Sequence, residues 1–368
     1  MEILQPCYRP PALPARRFQP YGARSMPEPE RTVSDTPAGA PVAPTLFISD
    51  ADVARLADWR SAVAALADAY AADVKPAMVP PRSMARGEGL WLRGLTAVSP
   101  SGATMGCKLI AASPRARRAS YLISLFDRQT MALSALIDGN RVTGLRTAAT
   151  AALTVDRLAP QRPLTVGILG SGFEARNALE CLAAVRTLQA VRVFSPTPAS
   201  RERFAEGFRP GLEIAAVASP QGAVQDADVV LCAARSKDES PVLRGAWLAA
   251  GCTVVSLGST LPEQREVDEE TMARAACIVA DMPEEVMHDT GDAIAAAKAG
   301  VDIAGKLVSL TELVAGRIAP RRNPADIVLY KSVGSALQDI AVAEMLLARA
   351  RQLGLGTTLP ASIVPVCK

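Results

Sequence analysis

The chain has 368 residues, 49% of them hydrophobic and 21% charged, with a formal net charge of +3. That length suits two domains, and that composition can bury a core. A balance so near neutral, with its arginines scattered, argues against a nucleic-acid partner, and no apolar stretch reaches the roughly 18 residues of a membrane span.

Seven cysteines without a CxxC pair, and one histidine, His288, predict reduced thiols in a cytoplasmic protein with no metal site. Any Ser-His-Asp or Cys-His chemistry would need His288, and no nucleophile elbow lies near it. His288 reads as an ordinary surface or helix-end residue, which leaves proton transfer to Lys, Asp or Glu.

Residues 1–44 are rich in Pro, Gly, Ala and Arg and have no apolar period, so they are expected to form a disordered extension without a secretory signal. A helical run should start at Ser49-Asp50 and continue through Tyr70, with Val53, Leu56, Trp59, Val63 and Leu66 at steps of three and four. Residues 78–137 read as strands, including 90–92, 104–110 and 121–126. A turn follows at Asp138-Gly139-Asn140, then a helix over 143–158 with a face of Thr147, Ala148, Ala149, Ala151 and Ala152, small enough for close packing against a neighbouring domain.

After a linker at 160–163 the pattern becomes strand–helix–strand. Strands are expected at Leu164–Leu169, 191–195, 229–233, 253–257 and 278–280, with a helix at Phe173–Val185. This alternation predicts a parallel, doubly wound sheet. A late strand at 327–330 and a long helix at 335–353 follow, and 354–368 is expected to be poorly ordered.

Between the first strand and first helix of the alternating region stands Gly170-Ser171-Gly172-Phe173-Glu174-Ala175. In this strand–loop–helix setting it is a dinucleotide-binding loop. Gly170 allows the tight turn, Gly172 lets a pyrophosphate approach the backbone, and Ala175 lets helix and strand pack closely. The helix start, from Phe173 and Glu174, offers free amides. At the end of the second strand, where an acid would hold the ribose hydroxyl of NAD, stands Ser195, followed by Thr197, Ser200 and Arg201. Hydroxyls and an arginine suit a 2′-phosphate, so NADP(H) is favoured and NAD(H) remains possible.

At Thr143-Gly144-Leu145-Arg146-Thr147-Ala148-Ala149, taken with Pro81-Arg82, Gly106-Cys107-Lys108, Gly170-Ser171-Gly172 and Lys331-Ser332-Val333-Gly334, the chain resembles the ornithine cyclodeaminase / mu-crystallin family from about residue 51 to 353. The resemblance implies an α/β architecture in which a Rossmann domain (159–321) is inserted into a smaller α+β substrate-binding and dimerisation domain (45–158 plus 322–355), usually as a homodimer. It further implies that Arg82 grips a substrate carboxylate and that Lys108 stands beside the reacting carbon. By the same resemblance Arg146, Gly258 and Ser332 lie around the cofactor.

Departures accompany the matches. Where cyclodeaminases carry a catalytic Asp, this chain has Thr260, with Glu263 nearby. The family's Thr-Gly turn reads Thr130-Met131, and its Pro-x-Asn reads Pro114-Arg115-Ala116, both expected near the substrate pocket. Ornithine is therefore not the expected substrate. The favoured activity is NAD(P)H-dependent reduction of an α-imino acid, with alanine, proline, pipecolate or aspartate as candidate products. A cyclodeaminase-like lyase and an NADPH-binding carrier are the alternatives.

Overall fold

A computed structural model of the chain describes residues 43–236 and 238–366, so the extension expected over 1–44 lies outside it apart from residues 43 and 44. The described part opens with β1 (Leu46–Ile48) and two helices, α1 (Asp50–Leu56) and α2 (Trp59–Ala71). One continuous helix was expected here. It breaks because Asp58 accepts the amide of Ser61 at 2.8 Å and starts a new helix, a competing local bond that Asp makes readily.

Five strands then form an antiparallel meander: β2 (Ser83–Gly87), β3 (Leu90–Val98), β4 (Thr104–Ser113), β5 (Arg118–Asp127) and β6 (Leu133–Asp138). β1 joins β6 in parallel, and Thr357–Thr358 pairs with β1, closing a seven-stranded sheet. The tail expected to be poorly ordered is thus tied down as far as Leu359, whose amide donates to the Thr45 carbonyl at 2.9 Å. Side chains alternate across the sheet. Leu95, Ala97, Lys108, Ile110, Ile123 and Leu125 are buried on its inner face, while Leu90, Leu92, Leu109 and Leu122 are exposed on the outer one.

The turn expected at 138–140 is a helix cap. Asp138 accepts the Asn140 amide at 3.0 Å, and α3 (Gly139–Leu158) starts four residues earlier than its apolar pattern suggested. The small face of α3 packs, as expected, against α4 (Phe173–Val185), the first helix of the parallel region. At Gly144 an added Cβ would sit 2.6 Å from the Phe173 ring, so glycine sets how closely these helices approach.

The second sheet is wholly parallel: β7 (Leu164–Leu169), β8 (Leu188–Phe194), β9 (Ile214–Ala216), β10 (Val229–Cys232), β11 (Thr253–Ser256), β12 (Ala275–Ala280), β13 (Leu307–Ser309) and β14 (Ile327–Lys331). Its order is β13-β12-β14-β11-β10-β7-β8-β9. The winding direction reverses between β7 and β10, where open parallel sheets bind their ligands at the carboxyl ends of the strands. One expectation is corrected here. Residues 327–331, assigned with 322–355 to the smaller domain, are inserted between β11 and β12 of the parallel sheet, and all five are buried, as in a strand covered on both faces. Only the helix Ala336–Leu353 and the short tail strand return to the antiparallel side.

Candidate functional site

The loop after β7 has the geometry of a phosphate cradle. Gly170 has φ +118°, and an added Cβ would sit 2.6 Å from the Ala233 carbonyl oxygen. Any other residue would be both strained and in collision. At Gly172 an added Cβ would meet nothing within 4 Å, so the approach to the backbone is open. Gly172 is the N-cap of α4, and no side chain occupies the first amides of that helix. Ala175 is fully buried against the sheet.

Beside this loop a cavity of about 160 Å³ is lined by Glu174, Ala233, Ala234, Arg235, Leu257 and Gly258, from the ends of β7, β10 and β11. Phe173 lays its ring against Gly144 of α3 and is otherwise half exposed. Glu174 has a buried oxygen without a hydrogen-bond partner. Burial holds its carboxyl above the usual value, against the opposing pull of Arg146 and Lys108.

At the end of β8, Ser195 is buried and Thr197 is the exposed N-cap of the helix Pro198–Glu206. Arg201 folds back to donate to the Ser195 carbonyl at 3.0 Å and lies 5.8 Å from the Phe194 ring. It therefore stays at the strand end.

Lys108 occupies the middle of β4 on the inner face, only 1% exposed. Its Nζ lies 2.9 Å from Asp339, 2.7 Å from the Thr143 hydroxyl and 5.6 Å from the centre of the Tyr121 ring. Burial drives its pKa down to about 8; the Asp339 carboxylate opposes that fall and Arg146 adds to it. Arg146 shares Asp339, at 3.2 Å, and donates to Gln338 at 2.9 Å. It lies against Gly334, whose φ is +80° and whose added Cβ would come 2.7 Å from the Arg146 Nη1.

Arg82, which the resemblance sets on a substrate carboxylate, is already engaged by the protein at three of its N–H groups. Its Nε faces Glu285 at 3.0 Å, and its terminal nitrogens donate to the Val333 carbonyl at 3.3 Å and the Thr260 carbonyl at 3.1 Å. Two terminal N–H groups are left over. Glu285 also accepts the Arg82 amide at 2.9 Å. The carboxyl ends of β11 and β14 thus position this side chain.

Several residues that support the site carry no sequence motif. Asp281, just past β12, accepts from Ser332 Oγ at 2.7 Å, the Val333 amide at 3.0 Å, the Gly334 amide at 2.9 Å and Gln338 at 3.0 Å, fixing the crossing from β14 into the last long helix. Glu266, fully buried, accepts from the Ala234 amide at 3.0 Å, the Gly258 amide at 2.9 Å and Ser256 Oγ at 2.6 Å. It ties together the two loops that line the crevice. Burial raises its pKa to about 7, against the pull of Lys331. Lys331 in turn reaches Ser256 Oγ and the Ser259 carbonyl, both at 2.9 Å, and Asp292 at 3.0 Å.

One expectation about the pocket is corrected. The turns at Pro114-Arg115-Ala116 and Thr130-Met131 flank opposite ends of the ten-residue β5, roughly 30 Å apart at strand rise, so both cannot border one small pocket. Met131 nevertheless takes φ +59°, a conformation that suits glycine. Thr260 is held by Gln264, its amide at 2.9 Å and its hydroxyl at 3.3 Å, and Glu263 is exposed. His288 is on the surface, 67% exposed and beside Glu284, as expected.

The Ornithine cyclodeaminase/mu-crystallin family matches residues 82–353. The chain belongs to this family. Among curated relatives of this family member, the Delta(1)-pyrroline-2-carboxylate reductase of Bacillus cereus is 29% identical over 263 residues, covering 69% of this chain and 80% of the relative. The ketimine reductase mu-crystallin of Mus musculus is 30% identical over 223 residues, covering 61% and 67%. Among solved structures, the Thermococcus litoralis Delta(1)-pyrroline-2-carboxylate reductase in complex with NADH and L-proline aligns with a TM-score of 0.79 at 28% identity, covering 86% of this chain and all of that one.

Proposed function

We propose that the protein reduces an α-imino acid to an L-amino acid with NAD(P)H. The observation that carries this reading is Lys108, a buried amine whose pKa burial pushes down to about 8, held by a carboxylate on the inner face of a sheet in a family with imine-reductase relatives.

The cradle fits a dinucleotide: an unhindered Gly172, a positive-φ Gly170 and uncapped amides at the start of α4. Gly170, Gly172, Phe173, Glu174 and Ala175 would hold the pyrophosphate end, and Gly258, Ser332 and Arg146 would border the nicotinamide end. Ser195, Thr197 and Arg201, with no acid among them, favour a 2′-phosphate and so NADPH over NADH. The nicotinamide supplies a hydride when bound.

In this reading Arg82 uses its two remaining N–H groups on the substrate carboxylate. Protonated Lys108 donates to the imine nitrogen. The carbon–nitrogen double bond becomes single, its carbon gaining a hydride and its nitrogen a proton, while one NAD(P)H is oxidised. Asp339 keeps Lys108 in place and Arg146 keeps Asp339 balanced.

A second copy of the chain would cover the outer face of the antiparallel sheet, where Leu90 and Leu92 are 58% and 47% exposed beside Leu109 and Leu122. No helix of the described residues is long and apolar enough to cross a membrane, and the five described cysteines are free. The free thiols support a cytoplasmic setting.

The test is turnover of NADPH and NADH with cyclic imines, and with pyruvate or oxaloacetate plus ammonium. Amino-acid product equal to cofactor oxidised is expected. Conversion of ornithine to proline without net cofactor oxidation would instead mark a lyase, and binding without turnover a carrier.

A further inference from the structure

Four cations border the substrate side of the fold, and three of them have carboxylate partners. Arg82 has Glu285, while Lys108 and Arg146 share Asp339. The fourth, Arg93, is only 9% exposed, yet no carboxylate lies within ion-pair distance of it among the described residues. Its Nε is sealed from solvent with no hydrogen-bond partner, and its nearest aromatic contact is the Trp91 ring at 5.2 Å. Burying a guanidinium without an anion is unfavourable, and native proteins avoid it unless a ligand supplies the missing charge.

The register places Arg93 at the reacting end of the site. Arg93 pairs with Ile110, which pairs with Tyr121; the adjacent pairs on the same face are Leu95 with Lys108 and Lys108 with Ile123. Arg93 is therefore the diagonal neighbour of Lys108, about 7–8 Å away between backbone positions. Both cations feel the same surroundings: Lys108 lies over the Tyr121 ring, and the charge of Arg93 is coupled to Arg82, Glu285 and Tyr121. Burial and the neighbouring Arg82 push the Arg93 pKa down to about 10, as they would where an anion is missing.

We propose that Arg93 is the receptor for a second acidic group, so that the substrate is an α-imino acid with a carboxylate on its side chain. The inference rests on the imine-reductase reading above. Arg82 has two N–H groups left for the α-carboxylate, and Arg93, whose sealed Nε has no partner, offers its guanidinium for the other. Such substrates form when a keto-dicarboxylic acid condenses with ammonium, releasing water. The reduction itself is unchanged: hydride to carbon, proton to nitrogen.

The test compares oxaloacetate and α-ketoglutarate with pyruvate and α-ketobutyrate, each with ammonium and NADPH or NADH, in the unmodified protein, Arg93→Met and Arg93→Lys. The unmodified protein should prefer a dicarboxylic substrate by at least about tenfold in kcat/KM. Arg93→Met should raise KM for that substrate roughly 10- to 100-fold and leave the monocarboxylic rates within about threefold. Arg93→Lys should recover part of the loss. Succinate should raise the melting temperature of the unmodified protein and not that of Arg93→Met, a readout independent of turnover.

A lack of dicarboxylate preference would overturn the proposal. So would an equal loss on both substrate classes, which would place Arg93 on the α-carboxylate. Silence with every imine would overturn the reductase reading and this inference with it.

Discussion

Replacing Lys108 by Met separates chemistry from folding. The methionine keeps the length and apolar stem of lysine and removes only the ammonium. Asp339 then loses its contact at 2.9 Å but keeps Arg146 at 3.2 Å and its place in the first turn of the helix Ala336–Leu353, where an acid is favoured. No buried charge is orphaned, and the desolvated ammonium is gone, so stability should change by no more than about 1–2 kcal/mol, a shift of a few degrees in Tm.

The rate should fall far more. Removing a positioned proton donor costs about 10²–10⁴-fold, or roughly 3–5 kcal/mol of barrier. Nucleotide affinity should stay within about threefold, because the cradle at residues 170–175 is on another sheet. Single-turnover rates, nucleotide titration and thermal melts on one preparation give all three numbers. Asp339→Asn is the contrast: it leaves two buried cations with no anion between them and should cost about 3–5 kcal/mol. A Lys108→Met protein reducing imines within tenfold of the parent rate would refute the proton-donor role.

Ser195→Asp should weaken NADPH binding at least about tenfold, through repulsion of the 2′-phosphate, while changing NADH binding little; tighter NADH than NADPH binding in the unmodified protein would end that reasoning. Imine reduction needs Lys108 protonated, so its kcat should fall as pH rises through about 8, while amino-acid oxidation, which needs the neutral amine, should rise through the same range. Matched pH profiles check this, and a flat profile in both directions contradicts it. Glu266→Ala leaves the Ala234 and Gly258 amides without their acceptor, and should cost about 2–5 kcal/mol in denaturant melts and raise KM for the nucleotide. Unchanged stability would show that water or a neighbour replaces the carboxylate.

The parallel sheet and its glycine loop were legible because their signals are local: a strand, a loop and a helix within about 25 residues. Lys108, Arg82 and Arg146 came from the resemblance to the ornithine cyclodeaminase / mu-crystallin family, carried over position by position. Their partners did not, because Asp339 and Glu285 lie at the ends of elements far away in sequence, and an isolated acid there looks like a helix-end residue. Glu266 and Lys331 show the same limit. Lys331 stood in the motif Lys331-Ser332-Val333-Gly334, but its full burial against Asp292 was not legible from it. The strand Ile327–Lys331 was misplaced for a related reason: burial on both faces makes a central parallel strand, but sequence order alone does not say which sheet receives it. The helix break at Asp58 and the early start of α3 at Asp138 each turned on a single cap that outcompeted the apolar period.

The central claim is that a hydride passes from the cofactor to an imine carbon. The most direct measurement uses NADPH deuterated at the transferable position of the nicotinamide, incubated with the protein, a keto acid and ammonium, with the product examined by mass spectrometry. One deuterium at the α-carbon of an L-amino acid, with one NADP+ formed per product molecule, is the predicted result. Amino acid formed without deuterium, or formed with no net oxidation of the cofactor, would contradict it.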